Sequence, residues 1–401
     1  MNRRIFSQLM AFGAGLISAA PVAAAKDEGT DSREATRFAG SASSSGLPVT
    51  IRDFIAQAEA RLPRGSFEYI TTGSEDEVTL KDNVEAFRRI RVLPPLLHGV
   101  NNTDLTTTVL GRKISMPILL APVAALRMLH PDGAMASARA AAQAGTICAA
   151  SSSALNSVEE IARASDGPKW FQLYVPRKRD IAGSLVARAE AAGFEALVVT
   201  VDLGERKDAD LRNRFTVPKD ILLKHLRDIG FDHLTDHHSH EELVEFSNSA
   251  WELSLNVDFF RWLRGVTDLP IVLKGVLSPE SARQAVDLGL NGIVVSNHGG
   301  RRLDGMPASI DVLSDVVQAV DGKIDILLDS GIRRGGDVMK ALALGAKAVL
   351  IGRPQAWGLA AGGEAGVKRV LDILRDELTN AMTASGCAAV DDVSSSLLRL
   401  P

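Results

Sequence analysis

Eight short apolar runs recur between residues 116 and 351 of this chain, and a polar or glycine-containing stretch follows each of them. Helical stretches lie between the runs, at residues 131–144, 181–192, 279–288 and 336–344. Strands that alternate with helices are typical of parallel α/β folds, and eight of them predict a (β/α)8 (TIM) barrel. The runs are residues 118–121, 146–149, 170–174, 196–201, 271–274, 292–295, 326–328 and 348–351.

A doubly wound parallel sheet is the main alternative to the barrel, because strands of similar spacing build both folds. That fold usually carries a G-x-G-x-x-G turn between its first strand and first helix, where phosphates bind. The stretch after residues 118–121 reads Pro-Val-Ala-Ala-Leu and contains no such turn. The sequence therefore favours the barrel.

The composition favours small-molecule chemistry over polymer binding. The 401 residues carry a net charge of −4, so they offer no excess of positive charge to a nucleic acid. Aromatic residues make up 5% of the chain, which is little for base stacking. The two cysteines, Cys148 and Cys387, are too few for a disulfide framework and have no metal-ligand spacing. We therefore expect one catalytic domain and no metal site.

Residues 1–25 have the three parts of an export signal, which are basic residues, an apolar stretch and small residues before the cleavage site. The pair Arg3 and Arg4 is typical of a twin-arginine signal, which exports folded proteins. We expect cleavage near Ala25 and a periplasmic mature protein. A membrane anchor is the alternative, but the apolar stretch is shorter than the ~20 residues that a span needs. Residues 26–46, rich in Ser, Gly and charge, predict a flexible tether.

Residues 47–115 predict a small helical cap that precedes the barrel. Thr50 is expected to cap a first helix through its hydroxyl, and a second helical segment is expected over residues 67–72. Residues 92–117 are rich in Pro and Thr and predict short extended pieces across the barrel. The barrel itself is expected over residues 116–401.

The connection after the fourth predicted strand, residues 203–270, is too long for an ordinary crossover and predicts an inserted lid or docking loop. Residues 233–240 within it hold four of the eight histidines. A metal site is one interpretation of this cluster. A solvated loop is the favoured one, because no regular spacing fixes the histidines as ligands.

Glycines and arginines after the last two predicted strands indicate a phosphate site. Gly331 and Gly352 let backbone N–H groups approach an anion, and Arg333 and Arg353 add positive charge. A helix that starts near Gly336 is expected to direct its positive end at the same place. Loops seven and eight of α/β barrels are a common phosphate-binding position, so we expect a phosphorylated ligand here.

Residues 296–302 read Ser-Asn-His-Gly-Gly-Arg-Arg and follow the sixth predicted strand. Catalytic groups of barrels lie at the carboxyl ends of the strands, which is where His298 and Arg301 fall. A neutral imidazole can accept a proton near pH 7, and a guanidinium binds a carboxylate through two parallel hydrogen bonds. The pair suits an acid that loses a proton next to its carboxylate.

This stretch resembles the active-site signature of the FMN-dependent α-hydroxy acid oxidases and dehydrogenases, the family of glycolate oxidase, lactate oxidase and mandelate dehydrogenase. The family pattern is Ser-Asn-His-Gly-(Ala/Gly)-Arg-Gln, and only Arg302 departs from it. The resemblance extends from about residue 50 to about residue 393. It implies FMN as the cofactor, bound by the residues that match Ala124, Ser151, Gln172, Thr200, Lys274, Ser296, Asp329, Gly331, Arg333, Gly352 and Arg353.

The same resemblance implies a substrate site in which Tyr69 and Arg301 bind the carboxylate. His298 corresponds to the base, Asp202 to its acidic partner, and Tyr174 to a phenol near the reacting oxygen. We expect Asp202 to raise the pKa of the imidazolium. The implied reaction converts an L-2-hydroxy acid, lactate-like or larger, into the 2-oxo acid, and reduced FMN passes electrons to oxygen, a quinone or a cytochrome.

Three departures from the family pattern bear on substrate choice. Lys207 falls where the family has a second carboxylate-binding arginine, and a lysine cannot form the bidentate pair. Ser153 replaces the bulky tryptophan of glycolate oxidase, which leaves room for a larger acid. Val123 replaces a threonine near the flavin, whereas Ala124 matches the oxidases.

Two other functions stay open at this point. One is an FMN-binding barrel with a different activity, such as an isomerase or an IMP-dehydrogenase-like enzyme, which would need a catalytic cysteine. The other is a flavin carrier without catalytic activity, since folds are reused for other work. The resemblance also implies a homo-oligomer, a tetramer.

Overall fold

The computed structural model describes residues 47–203 and 215–401. Eight parallel strands close into one barrel in the order β10-β11-β4-β5-β6-β7-β8-β9, which confirms the (β/α)8 prediction and makes the doubly wound alternative wrong. The strands are β4 (Ile118–Leu120), β5 (Cys148–Ser151), β6 (Lys169–Leu173), β7 (Ala196–Thr200), β8 (Ile271–Val276), β9 (Gly292–Val295), β10 (Asp325–Leu328) and β11 (Ala348–Ile351).

The barrel strands are apolar throughout because both of their faces are buried. Successive side chains alternate between the barrel interior and the helices outside. In β4, Leu119 packs inside, while Ile118 and Leu120 pack against the outer layer. Trp170 and Val198 fill the same interior, so the barrel is a packed core and the site must lie at one of its ends.

Helices connect the strands and cover the barrel. The sequence located most of them to within a few residues; for example, α4 begins at Ala134 rather than at residue 131. The helices between strands are α4 (Ala134–Ala144), α5 (Val158–Arg163), α6 (Arg179–Ala191), α10 (Pro279–Asp287), α11 (Ser309–Val320), α12 (Gly335–Ala343) and, after β11, α13 (Arg353–Ala384), which has non-helical backbone at Gly362 and Gly363.

Three helices precede the barrel: α1 (Asp53–Arg61), α2 (Arg64–Thr71) and α3 (Val78–Arg89). The expected cap at Thr50 is wrong, because Arg52 occupies the N-cap position and makes no side-chain cap. Instead, the Asp53 carboxylate accepts hydrogen bonds from the backbone N–H groups of Val49 and Thr50 at 2.9 and 2.8 Å. Helix α3 was not predicted from the sequence.

A hairpin closes the amino-terminal end of the barrel. Its strands are β2 (Thr107–Val109) and β3 (Arg112–Ile114), and Val109 packs into the interior cluster with Trp170 and Val198. The backbone N–H of Leu110 donates to the carboxylate of Asp325, the first residue of β10, at 2.7 Å. The opposite end stays open for a ligand. A second small sheet pairs β1 (Arg91–Val92) with β12 (Leu398–Arg399).

The described part of the insertion after β7 folds into α7 (Lys219–Asp228), α8 (His240–Ser249) and α9 (Val257–Arg264). His240, the last residue of the histidine-rich stretch, begins α8 and lies 2.9 Å from the backbone carbonyl of Val217. Among residues 47–203 and 215–401, no three potential metal ligands cluster, and no helix has the length and apolarity to cross a bilayer.

Candidate active site

A cavity of about 850 Å³ opens at the carboxyl ends of the barrel strands, on the side opposite the hairpin. Its wall contains residues from both predicted sets, those expected to bind the substrate and those expected to bind the cofactor. The sequence-predicted residues on its wall are Tyr69, Ala124, Tyr174, Thr200, Lys274, His298, Arg301, Asp329, Gly331, Arg333, Gly352 and Arg353. Three further ones, Ser151, Gln172 and Ser296, are buried beside the wall, and Lys207 lies outside the described residues.

His298 and Asp202 form the central pair of the cavity. They come from the ends of β9 and β7, and Nδ1 of the imidazole lies 2.9 Å from Oδ1 of the carboxylate. This contact turns Nε2 toward the cavity, where it lies 3.4 Å from the hydroxyl of Tyr174. Gly275 leaves room for the pair, since a Cβ there would lie 2.7 Å from the Asp202 side chain. The imidazole is thus oriented with one nitrogen available to a ligand.

Burial lowers the pKa of His298 to about 4, and the nearby Lys274 acts in the same direction. Asp202 raises that pKa, as expected from the sequence, but burial has the larger effect, so the pKa of His298 stays below its ordinary value of 6.5. Burial also opposes the charge on Asp202, yet His298 and Lys274 outweigh it and lower the pKa of the carboxyl to about 2. At pH 7 the site therefore contains a neutral imidazole beside a carboxylate.

Arg301 is held at the cavity wall by α2. Its guanidinium donates to the backbone carbonyls of Tyr69 and Thr72 and lies 4.7 Å from the centre of the Tyr69 ring. That ring also stacks on Phe215, with 4.1 Å between ring centres. A guanidinium fixed in this way can bind a carboxylate with little further loss of side-chain entropy.

A chain of buried polar groups crosses neighbouring strands at the cavity floor. Ser151 donates to the Gln172 carbonyl oxygen at 2.6 Å, and the Gln172 amide donates to Thr200 at 3.0 Å. The strand register produces this chain, because Ser151 is paired with Gln172 and Thr200 with Lys274. The sequence could group these residues only through the resemblance; the register explains why they meet.

Lys274 is a buried cation at the end of that chain. Its ammonium donates to Ser296 at 2.9 Å and pairs with the Asp329 carboxylate at 3.0 Å. Burial works against the charged form, but Asp329 and Asp202 outweigh it and raise the pKa of Lys274. The cavity floor therefore keeps a positive charge at neutral pH.

The end of the cavity after β10 and β11 is positively charged. Arg333 lies over the ring of Trp357 at 5.1 Å, and burial lowers its pKa to about 10, with Asp337 the group that raises it. Helix α13 begins at Arg353, which is on the cavity wall together with Pro354. Cationic side chains and a helix amino terminus make this end suitable for an anion.

The expectation that α12 directs its positive end at the anion is wrong. Its first N–H groups are already used by carboxylates: Gly335 donates to Glu377 at 2.8 Å, and Arg334 donates to Asp337 at 2.9 Å. Helix α13, in contrast, begins on the cavity wall. Gly331 also has a packing role that the sequence did not indicate, since a Cβ there would lie 2.0 Å from the backbone oxygen of Asn83 in α3.

Sequence reasoning missed two parts of the site. One is α3, whose Asn83 exchanges side-chain hydrogen bonds of 2.9 and 2.7 Å with Asn297 and so fixes the loop that carries His298. The other is an apolar wall from the insertion, with Trp251 and Leu253 in the cavity. Asn297 stood in a predicted motif without an assigned partner, and the length of the insertion predicted a lid or docking loop without indicating which of its residues line the cavity.

Comparison with known proteins decides the family of this site. A sequence model described as FMN-dependent dehydrogenase matches residues 58–400. The chain belongs to this family. Among curated members, 2-hydroxyacid oxidase 1 of Homo sapiens is 45% identical over 357 residues, which is 88% of this chain and 96% of that protein. Glycolate oxidase of Spinacia oleracea is 47% identical over 351 residues, with 87% and 95% coverage.

Solved structures of this family have the same fold as the chain. Mandelate oxidase with benzoyl-formic acid is 40% identical, with a TM-score of 0.78 and coverage of 88% of this chain and 98% of that one. A mutant of the active chimera of (S)-mandelate dehydrogenase is 37% identical, with a TM-score of 0.81 and coverage of 88% and 99%. The protein is an FMN-dependent 2-hydroxy acid oxidase or dehydrogenase, as the motif at residues 296–302 predicted.

The residues of this family member fit FMN. Asp337 does not fully offset the burial of the Arg333 guanidinium, whose pKa stays lowered to about 10. A phosphate would give this guanidinium a second counter-charge. Gly352 leaves the wall open beside it, because a Cβ would reach only Ala121 and Val123, both at 3.8 Å. The Lys274 ammonium suits the polar edge of an isoalloxazine, which gains negative charge on reduction.

Proposed function

We propose that this enzyme oxidises an L-2-hydroxy acid with a side chain larger than that of glycolate to the 2-oxo acid. One observation carries the proposal: His298, neutral and oriented by Asp202, lies on the same cavity wall as the Arg301 guanidinium. A base and a carboxylate-binding group in one cavity are the two parts that such a substrate requires.

The catalytic and substrate-binding residues of the site have separate roles in the proposed reaction. Arg301, stacked on Tyr69, binds the substrate carboxylate. His298 accepts the proton that the substrate loses, through Nε2, and Asp202 then stabilises the resulting imidazolium at 2.9 Å. FMN supplies the chemistry of two-electron acceptance when bound. Tyr174, whose hydroxyl lies 3.4 Å from Nε2 of His298, donates a hydrogen bond to the reacting oxygen.

The lining of the cavity supports a substrate larger than glycolate. Ser153 contributes only a hydroxymethyl group to the wall, at the position where the resemblance associates glycolate oxidase with a tryptophan. The family members of known structure include a mandelate oxidase and a mandelate dehydrogenase, whose named substrate has a phenyl side chain. A small residue here leaves volume for such a group.

An alternative reaction of the IMP-dehydrogenase type has little support. It requires a reactive thiolate, yet Cys148 is buried in β5, where burial raises its pKa to about 12. Cys387 is also buried, after the end of α13. Both thiols are therefore unsuited to nucleophilic attack.

Rapid mixing of the oxidised holoenzyme with hydroxy acids under anaerobic conditions tests the proposed function. We expect bleaching of the flavin by several L-2-hydroxy acids, with glycolate among the slower ones, and little bleaching by D enantiomers. A flavin that no 2-hydroxy acid reduces would instead indicate a carrier. Admitting air to the reduced enzyme then distinguishes an oxidase, which reoxidises rapidly, from a dehydrogenase that needs a quinone or a protein acceptor.

We propose further that residues 1–25 export the enzyme to the periplasm in folded form. The support is the paired Arg3 and Arg4 before an apolar stretch and small residues. Mass spectrometry of the protein from separated periplasmic and cytoplasmic fractions tests this. We expect a periplasmic form that begins near residue 26, and retention in the cytoplasm when both arginines are replaced by lysine; an uncleaved cytoplasmic wild type would contradict the proposal.

A further inference from the structure

The insertion contributes an apolar surface to the cavity that the reaction as described does not use. Trp251 and Leu253 follow α8 and lie on the cavity wall, and Leu203, at the end of β7, lies on the same wall. Leu253 is 43% exposed, and Trp251 is half-buried. An exposed leucine beside a half-covered indole in a cavity is apolar surface that a ligand can cover.

Backbone hydrogen bonds hold this surface against the barrel. Trp251 forms an isolated antiparallel bridge with Pro176, just beyond β6. The N–H of Arg177 donates to the carbonyl of Ala250 at 2.9 Å, and the N–H of Glu252 donates to the carbonyl of Val175 at 2.8 Å. The segment therefore behaves as a short extra strand pairing, and the backbone that carries Trp251 is held in place rather than left to a free loop.

The indole lies next to the reacting groups. Its ring is 6.2 Å from the Tyr174 ring at an angle of 63°, an edge-to-face contact, and the Tyr174 hydroxyl is 3.4 Å from Nε2 of His298. A substrate whose carboxylate is bound by Arg301 and whose reacting carbon lies at His298 extends its side chain away from both. Trp251 and Leu253 lie on the wall of this same cavity, and Trp251 contacts Tyr174, so they are the apolar groups of the insertion within reach of such a side chain.

We propose that Trp251, assisted by Leu253, determines substrate specificity by contacting the side chain of the hydroxy acid, and that an apolar or aromatic side chain is the group it accepts. This inference rests on the proposed function. Aromatic and aliphatic groups gain both buried area and edge-to-face contacts from an indole, whereas a charged side chain would be desolvated there without a partner in Trp251 or Leu253. The insertion, and not the barrel alone, thus selects the substrate.

Selectivity ratios measured on the full holoenzyme test this inference. The probes are L-lactate, L-2-hydroxyoctanoate, L-mandelate and L-2-hydroxyglutarate, each compared by kcat/KM for anaerobic flavin reduction. We expect Trp251→Ala to reduce the mandelate-to-lactate and hydroxyoctanoate-to-lactate ratios of kcat/KM about tenfold or more. Trp251→Phe keeps an aromatic ring, so its ratios should lie close to those of the wild type. Leu253→Ala, at a more exposed position, should also reduce the hydroxyoctanoate-to-lactate ratio. This variant tests the inference even if Trp251→Ala does not fold.

The matched control is Val257→Ala, which removes an apolar residue that is 40% exposed in the same insertion but away from the described cavity wall. Its ratios should equal those of the wild type. A Trp251→Ala variant that slows all four acids by one common factor would overturn the inference and assign Trp251 a role in positioning Tyr174. A wild type that uses 2-hydroxyglutarate best would also overturn it. A wild-type flavin that none of the acids reduces would instead contradict the proposed function, so the two failures are distinguishable.

Discussion

The neutral state of His298 is the residue-scale property on which the chemistry depends. Burial keeps the imidazole unprotonated, and the Asp202 carboxylate fixes its orientation without being able to charge it before substrate arrives. A base of this kind is ready at neutral pH, and it becomes charged only when it takes a proton from the substrate. The adjacent carboxylate then has its largest effect in the state that follows proton transfer.

Replacing His298 by Gln should separate flavin binding from substrate oxidation. The amide keeps a polar group of similar size but accepts no proton, so we expect flavin reduction to slow by about a hundredfold or more while bound FMN stays near one per chain. Anaerobic stopped-flow absorbance measures the first quantity and the visible spectrum the second. Retained turnover in His298→Gln would remove this imidazole from the mechanism.

Replacing Arg301 by Lys should weaken substrate binding more than it slows the chemistry. A lysine keeps the charge but loses both the bidentate fork and the stacking on Tyr69, which together correspond to about a tenfold to hundredfold increase in KM. Steady-state kinetics with the best acid of the panel gives KM and kcat separately. Arg334→Lys, at an exposed arginine away from the described wall, is the control, and an unchanged KM for Arg301→Lys would contradict its assignment.

At the residue scale, the sequence predicted those groups whose residue type and position after a strand already indicate their chemistry. His298 and Arg301 stand in one motif after one strand, and glycine with arginine after two others indicated an anion site. It could not predict Trp251, because a tryptophan in a long insertion carries no information about which loop it contacts. It also could not predict the pKa of His298, since burial depends on the packed neighbours rather than on the sequence partner Asp202.

At the scale of the elements, α7 contains a second buried imidazole. His225 is 5% exposed among leucines of this helix, and burial lowers its pKa to about 4. Its ordinary value is 6.5, so between pH 6.5 and 4 the unfolded chain binds a proton that the folded chain does not. The folded state therefore loses stability as the pH falls through this window. Above pH 6.5, His225 does not destabilise the folded state, because the imidazole is neutral in both states.

Urea denaturation of the holoenzyme at pH 6.5, 6.0, 5.5 and 5.0 measures this effect. Each of the two buried imidazoles, His225 and His298, should lower the free energy of unfolding by up to about 1.4 kcal/mol for each pH unit. We expect His225→Leu to remove about half of the slope, because leucine does not titrate and suits the apolar surroundings. His237→Leu, at an exposed histidine of the same insertion, is the control. An unaltered slope in His225→Leu would show that α7 opens before the barrel unfolds.

The elements themselves were predicted unevenly. The barrel strands were found because an apolar run buried on both faces has few alternatives, and helices between strands were found because they must cover them. Helix α3 was missed because its buried face includes Thr79 and Asn83, which bind the loops of the site and interrupt the apolar periodicity. The helix is amphipathic, but few of its residues are apolar, so its overall hydrophobicity is low.

At the scale of the whole molecule, stability and chemistry lie at opposite ends of the barrel. The hairpin of β2 and β3 closes the amino-terminal end, and its Val109 is fully buried in the interior cluster. We expect Val109→Ala to lower the free energy of unfolding by about 2 kcal/mol, from two lost methyl groups and a cavity. Flavin reduction below the unfolding temperature should be unchanged. Thr108→Ala, on the exposed face of the same strand, is the control, and equal losses in both variants would contradict a role of Val109 in closing the barrel.

The ring of strands is completed by its first and last members, since β4 pairs with β11 through Ile118 with Val349, Leu119 with Leu350 and Leu120 with Ile351. A ribosome must therefore deliver nearly the entire polypeptide before β4 gains its second neighbour. Until then, the edges of a half-built parallel sheet lack a partner strand and are open to wrong pairing. The anion-binding end of the cavity lies after β10 and β11, so it too forms only when the carboxyl-terminal part of the chain is available.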